Sequence, residues 1–383
     1  MTSTAAEQLL VAEQLIEHLK CPISLEIMSD PVTLSSGETF DRSSIQQWLD
    51  LGHRKCPITK LPLLHTYLIP NHALRAIISS FAPPPPETLP CPPPLQTEAQ
   101  TLTLTQTLVS SLTSNEAPTN YKLNSLSKLI FLSKHDPLFR RNITDAPVIP
   151  VVFSCLADET LRHKSLTLLL NISLEDENKV GLMAEGILDR LITIISSEAS
   201  DCRAVAATLI TSLSLLELNR ATIGAYPHAI ESLVSLIRDG VGREKKEAAT
   251  ALYTVCRFPN NRITAVACGA IPVLLRRLDA GLERCVEVIG LLAERKEAIE
   301  EMEKFGGCVE VLAGVLKNRT RTKRGVEFAL LALKYLCCNS EESVKEAVRA
   351  GVFESCMGLM QHDSVRVREN ASYLILVLCS RKQ

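Results

Sequence analysis

From about residue 105 onward, apolar residues recur at helical spacing, and that pattern itself repeats. Six landmarks mark the repeat: Pro147-Val148-Ile149-Pro150, Gly186-Ile187-Leu188, His228-Ala229-Ile230, Gly269-Ala270-Ile271-Pro272, Gly307-Cys308-Val309 and Gly351-Val352-Phe353. They lie 39, 42, 41, 38 and 44 residues apart. Each opens an apolar helix, such as IPVLLRRL. A short polar-opened helix precedes it, as in NNRITAVACG, and a longer helix follows, as in KEAATALYTVC. One such unit cannot bury its apolar face alone, whereas stacked units share a continuous core. The pattern predicts about six units, with Tyr121 to Ser133 as a lone helix covering the open N-terminal end.

A period near 40 with three helices per unit is the pattern of armadillo-type arrays. The chain ahead of the array reads differently. Residues 5–19 (AAEQLLVAEQLIEHL) predict a short amphipathic helix, a lead-in that packs on the next domain. Within 20–81, Val32-Thr33-Leu34 and Glu38-Thr39-Phe40 flank Ser35-Ser36-Gly37, a hairpin pattern after a turn at Asp30-Pro31. Asp41 reads as the N-cap of a helix from Arg42 to Leu51, with Ile45, Trp48 and Leu49 on one face. A loop through Gly52, Pro57 and Pro62 follows, and Asn71 caps a last helix carrying Leu74, Ile77 and Ile78. Residues 82–96 hold eight of the 20 prolines, which predicts an extended spacer, with an adaptor-binding proline motif as the other reading. The expected organisation is a lead-in helix (1–19), a small mixed domain (20–81), a proline-rich linker (82–104) and an all-helical array (105–383).

Bulk properties narrow the class. A net charge of -2 gives no overall field for nucleic acid or an anionic membrane, and no stretch approaches the length of a membrane span. The 13 cysteines are scattered. Met1 to Lys20 lacks both an uninterrupted apolar run and a small-residue cleavage site, so the thiols are expected to stay reduced. The expected location is cytoplasmic, with the nucleus as a further reading. The basic run Arg319 to Arg324 is either a solvated loop, the commoner case, or a nuclear-import signal or contact for an acidic partner.

The chemistry concentrates in 20–81. Lys20-Cys21-Pro22-Ile23-Ser24 and Lys55-Cys56-Pro57-Ile58-Thr59-Lys60 resemble the two metal loops of a RING domain, in which paired thiolates grip zinc. Here Ser24 and Thr59 stand where the second thiol would be. Cys21, Cys56, His53, His65 and His72 could fill one tetrahedral site at most, so no metal and no cofactor is expected. This pattern, with CPISLEIMSDPV, SGETFDRSSIQQWL, CPITK and LIPNHALRAII, resembles the U-box family from Cys21 to about Phe81. A U-box, a proline-rich gap and an armadillo array in that order resemble the plant U-box/armadillo ubiquitin ligases.

The resemblance implies a small α+β zinc-free RING-like U-box followed by an all-α armadillo solenoid. In such a U-box the hydroxyls of Ser24 and Thr59, and charges such as Glu26, Asp30, Asp41 and Arg42, would replace metal. It also implies a groove for a ubiquitin-conjugating enzyme, formed by Ile23 and Leu25 on the first loop, Trp48 on the helix and Pro57 on the second loop; the competing reading is plain core packing, strongest for Leu25 and Trp48. Lys60 would hold the conjugate of enzyme and ubiquitin closed, a non-covalent role in catalysis by positioning. Moving such a conjugate from about 10% to 90% closed takes roughly 2.6 kcal/mol, within reach of a few charge-assisted hydrogen bonds. Cys21 and Cys56 read as buried structural thiols. A covalent ubiquitin carrier is disfavoured, because neither Cys91 nor the thiols on apolar helix faces has a neighbouring base. Expected partners are the conjugating enzyme, ubiquitin and a protein substrate on the array, with self-association through the U-box as a further reading. The rival function is a non-catalytic scaffold whose U-box only docks or dimerises.

In armadillo arrays the third helix of each unit lines the groove, and importin-like members place tryptophans and asparagines there. Trp48 is the sole tryptophan, and the aligned third helices carry Asn171, Ser212, Thr254, Leu291, Tyr335 and Val377 at the asparagine position. The array is therefore expected to recognise its ligand by other means.

Overall fold

The computed structural model describes residues 19–24, 26–50, 52–63, 65–71, 74–75, 78, 98–114, 116–143, 148–197, 201–318 and 322–380. The chain divides into two compact units, Met1–Pro94 and Leu95–Gln383. The lead-in helix expected over 5–19 and the proline spacer lie outside the described residues, as do Leu25, His72, Ile77 and Arg319 to Arg321.

In the first unit β1 (Pro31–Thr33) pairs antiparallel with β2 (Thr39–Asp41), with Val32 opposite Phe40. The turn between them closes through Leu34 N–H to Glu38 O (3.0 Å) and Gly37 N–H to Leu34 O (3.0 Å). Gly37 has φ 82°, a conformation that side chains resist. A third strand, β3 (Ile69–Pro70), pairs with the other edge of β1. At two residues it is too short to show as alternation in the sequence, and its partner fixes it. Helix α1 (Arg42–Asp50) follows β2 directly and buries Ile45 and Leu49. Asn71 caps as expected, its side-chain oxygen accepting from Leu74 N–H (3.0 Å), and its own N–H donates to Pro31 O (2.8 Å). Cys21, Met28, Val32, Leu34, Phe40, Ile45, Leu49 and Cys56 form the core.

The second unit opens with two helices rather than the expected lone one: α2 (Glu98–Thr113) packs on α3 (Thr119–His135). The linker boundary at 104 is corrected accordingly, since α2 starts at Glu98. It escapes the hydrophobic pattern because Thr and Ser fill many of its positions. Among the described residues six three-helix units follow, and their third helices (Glu159–Ile172, Cys202–Leu213, Arg243–Cys256, Arg284–Leu292, Lys323–Asn339, Val365–Ser380) continue from α3 as a ladder, each against the next. One apolar core runs from Leu108 to Leu378.

The landmarks acquire a physical reason. Gly186, Gly269, Gly307 and Gly351 adopt φ of 75°, 73°, 82° and 72°, and His228 takes the same left-handed turn at φ 60°. A further repeat went unread in the sequence. Asn178, Asn219 and Asn261 are buried on first helices and donate to carbonyls at the end of the preceding third helix: Asn178 to Ile172 O (3.0 Å), Asn219 to Leu213 O (3.0 Å) and Asn261 to Val255 O (2.9 Å). Orphan helix-end carbonyls are thereby satisfied.

Candidate functional site

Two loops of the first unit share one construction. The bridge Lys20–Ile27 closes the first and Lys55–Pro62 the second. Cys21 N–H donates to Glu26 O (2.7 Å), and Cys56 N–H donates to Leu61 O (2.9 Å). Both cysteines are fully buried. Burial pushes the Cys21 thiol up, but the backbone amides of Ser24, Asp41 and Ile23 and the Ser24 hydroxyl more than offset it, leaving the thiol below its ordinary value. Cys56 is treated alike: burial raises it, and the hydroxyls of Ser36 and Thr59 with the amides of Thr59 and Ile58 bring it below the ordinary value. Ser24 and Thr59, standing where a metal loop has its second thiol, thus help to hold the remaining thiol below its ordinary value.

A polar network braces the loops. Asp41, 8% exposed, accepts at one carboxylate oxygen from Ser29 N–H (2.8 Å), Ser29 O–H (3.1 Å) and Asp30 N–H (2.9 Å). Its other oxygen accepts from Ser43 O–H (2.7 Å), and its amide donates to the Cys21 sulfur (3.3 Å). The expected N-cap carboxylate is therefore turned mainly onto the preceding loop, where two backbone donors would otherwise lack a partner. Asp30 in turn pairs with Arg42 (2.7 Å) and with Arg75. Arg75 lies 45 residues from Asp30, a separation at which sequence gives no pairing signal.

On this frame Ile23 is 38% exposed and Ile58, at the matching position of the second loop, 43% exposed. Ile58 was not picked out from the sequence, although the parallel between CPIS and CPIT carried the signal. Pro57 is half-buried. Trp48 is half-buried against the core, its indole N–H donates to Lys55 O (3.1 Å), and its ring stacks on His53 at 4.0 Å. Trp48 thus packs on the core and ties the helix to the second loop. The first loop connects to that helix through Cys21 and Asp41. Lys60 is exposed, has φ 60° and donates its ammonium to Pro57 O (2.6 Å). Leu25 is outside the described residues.

Thiols of the array differ in kind. Burial pushes Cys256, Cys285, Cys308 and Cys356 up to about 12, which keeps them protonated at neutral pH. Asn171, the one match to the groove asparagine, donates to Ile130 O (3.3 Å) and bonds the Ser133 hydroxyl (3.1 Å), linking neighbouring ladder helices.

Comparison with known proteins converges with this geometry. A U-box domain model matches residues 16–83, and a model of the plant U-box protein ARM repeat region matches residues 106–382. The chain belongs to the plant U-box/armadillo family. U-box domain-containing protein 8 of Arabidopsis thaliana is 48% identical over 371 residues, covering 96% of this chain and 98% of that protein. The Arabidopsis E3 ubiquitin-protein ligase PUB23 is 25% identical over 380 residues, covering 93% and 90%. The crystal structure of an engineered protein overlays with a TM-score of 0.52 at 20% identity, over 74% of this chain and 82% of its own; that likeness concerns the fold of the array. No helix among the described residues of this U-box protein is long and apolar enough to cross a membrane.

Proposed function

We propose that this U-box protein is a ubiquitin ligase whose U-box docks a ubiquitin-charged conjugating enzyme while its armadillo array holds the substrate. Family membership and the likeness to a named ubiquitin ligase support the activity. The observation that carries the docking reading is the pair of exposed isoleucines, Ile23 and Ile58, at matching positions of two similarly built loops, the first tied to the start of the helix through Asp41 and the second to Trp48 on it. Aliphatic side chains held open on a braced frame, with a half-buried tryptophan on the helix, have the composition of a binding hot spot.

Transfer in this reading is non-covalent. The array thiols raised by burial offer no nucleophile at neutral pH. Lys60 acts by exchange: its ammonium leaves the Pro57 carbonyl, to which it is bonded in the isolated chain, and bonds the docked conjugate. Its charge is already held at the edge of the groove, which lowers the ordering cost of that contact. As a point charge, lysine lacks the planar fork with which arginine would bridge two acceptors.

Autoubiquitination with a panel of conjugating enzymes tests the reading. Chains with at least one of them are expected; none with any would favour a non-catalytic scaffold.

A further inference from the structure

The charges of the array are sorted by helix. The seven helices of the ladder, α3 and the six third helices, carry 15 Lys and Arg against 6 Asp and Glu, in a chain whose overall charge is -2. The first helices Lys296–Lys304 and Glu341–Arg349 lean the other way, and the first helices taken together are nearly balanced. Because ladder helices stack on one another, the surplus gathers along one continuous feature.

Much of the acid on the ladder is already committed. Glu244 receives both arms of Arg203 (2.8 and 2.9 Å), Glu287 takes Arg284 (2.7 Å) and Arg324 (3.0 Å), and Glu327 takes Arg366 (3.4 Å). Among the described residues, Lys128, Lys246 and Lys334 have no carboxylate partner. Lys128 and Lys246 are exposed. The Lys334 ammonium lies over Tyr373 at 4.5 Å and Tyr335 at 5.7 Å. Arg324 lies over Tyr253 at 5.2 Å and bonds its hydroxyl (2.6 Å). The C-terminal half of the ladder therefore alternates cations with tyrosine rings.

Resting on the reading that the array holds the substrate, we infer that the ladder recognises an acidic, extended polypeptide segment of that substrate. Its carboxylates would meet Lys128, Lys246 and Lys334, and its apolar side chains would lie on Tyr335 and Tyr373. A positive surface steers and orients a complementary acidic partner. Isolated cations on separate units suit carboxylates scattered along a peptide. A nucleic acid carries closely spaced phosphates and is held by a basic groove that tracks them.

Fluorescence anisotropy on the full chain tests this, with a labelled peptide of about 15 residues built from Gly, Leu, Tyr and regularly spaced Glu. Its Lys-for-Glu counterpart and a single-stranded RNA of similar length are the rival probes. The Glu peptide is expected to bind and to weaken as salt rises. Combined Lys128→Glu, Lys246→Glu and Lys334→Glu should loosen it by about tenfold or more, while Lys345→Glu on a first helix should not. Should the triple variant fail to fold, the three single Lys→Gln variants serve, each expected to weaken binding measurably. No binding by the Glu peptide, equal binding by the Lys peptide, tighter binding by RNA, or indifference to these substitutions would overturn the inference. Discharge of ubiquitin onto free lysine is measured on the same proteins. Its absence in the unaltered chain, with peptide binding intact, would sink the ligase reading and leave the surface standing.

Discussion

Asp41→Ala asks whether polar bonds hold the U-box together. The carboxylate accepts four hydrogen bonds, two of them from the backbone amides of Ser29 and Asp30. Asp30 so fixed presents its own carboxylate to Arg42 and Arg75, so the loss spreads to a second node. Each bond contributes about 1 kcal/mol net, and more where the acceptor is charged; water reaching the part-buried loop recovers some of it. The total is roughly 3–4 kcal/mol. A domain of this size has only about 3–5 kcal/mol to lose, so the variant U-box should be substantially unfolded at room temperature while the array is unaffected. Hydrogen exchange read by mass spectrometry on the full chain distinguishes the two: peptides spanning 26–50 should lose protection, and those from the third helices should keep it. Asp41→Asn is the control. Its oxygen can face the two backbone amides and its NH2 can donate to the Ser43 oxygen, so only the charge assistance goes, about 1 kcal/mol. Full protection in Asp41→Ala, or equal damage by Asn and Ala, would refute the reasoning.

Other expectations follow from the same geometry. Ile58→Ala should lower ubiquitin discharge as much as Ile23→Ala, with the thermal midpoint nearly unchanged because both side chains are exposed; undiminished discharge would remove Ile58 from the groove. Lys60→Ala should slow discharge severalfold yet leave recruitment of the conjugating enzyme nearly intact, and Lys60→Arg should restore it; an equal loss of recruitment would contradict the clamp. A Cβ on Gly224 would lie within 2.3 Å of the Asn261 amide, so Gly224→Ala should expel Asn261 from the carbonyls of Arg220 and Val255. The cost should be about 2–4 kcal/mol in urea unfolding of the array, and a loss below about 0.5 kcal/mol would argue against the cap. The array should also lose stability as pH rises through the window from 9 to about 12. There the unfolded thiols of Cys256, Cys285, Cys308 and Cys356 release protons that the folded ones, at about 12, still hold. A urea midpoint equal at pH 7 and pH 10 would exclude this linkage.

Legibility differed among the elements for physical reasons. The β1–β2 hairpin, α1 and the landmark turns were readable because their signals are local: a Gly where φ is positive, or an i, i+3, i+4 apolar set. Trp48 was ambiguous because an indole can bury one face and offer its N–H at the other. The buried asparagines 178, 219 and 261 were overlooked although their spacing matches the landmark period. A polar residue on a polar-looking helix reads as solvated until the carbonyls it satisfies are visible. Helix α2 was partly missed for the converse reason, since its Thr and Ser make a weak apolar stripe around Leu108, Val109 and Leu112, which are nonetheless buried.

By itself the sequence determined the order of the parts, the period of the array, and that hydroxyls stand where a metal loop needs thiols. Those properties reside in residue type and short-range spacing, which the chain displays directly. Tertiary structure decided which charges meet, as in the pairing of Asp30 with Arg42 and Arg75. It also decided that Ile58 stands open on its loop as Ile23 does on the other, and that basic residues from seven helices share one ladder. Contacts between residues far apart in the chain depend on how faces are turned toward one another, and only the closed fold sets that.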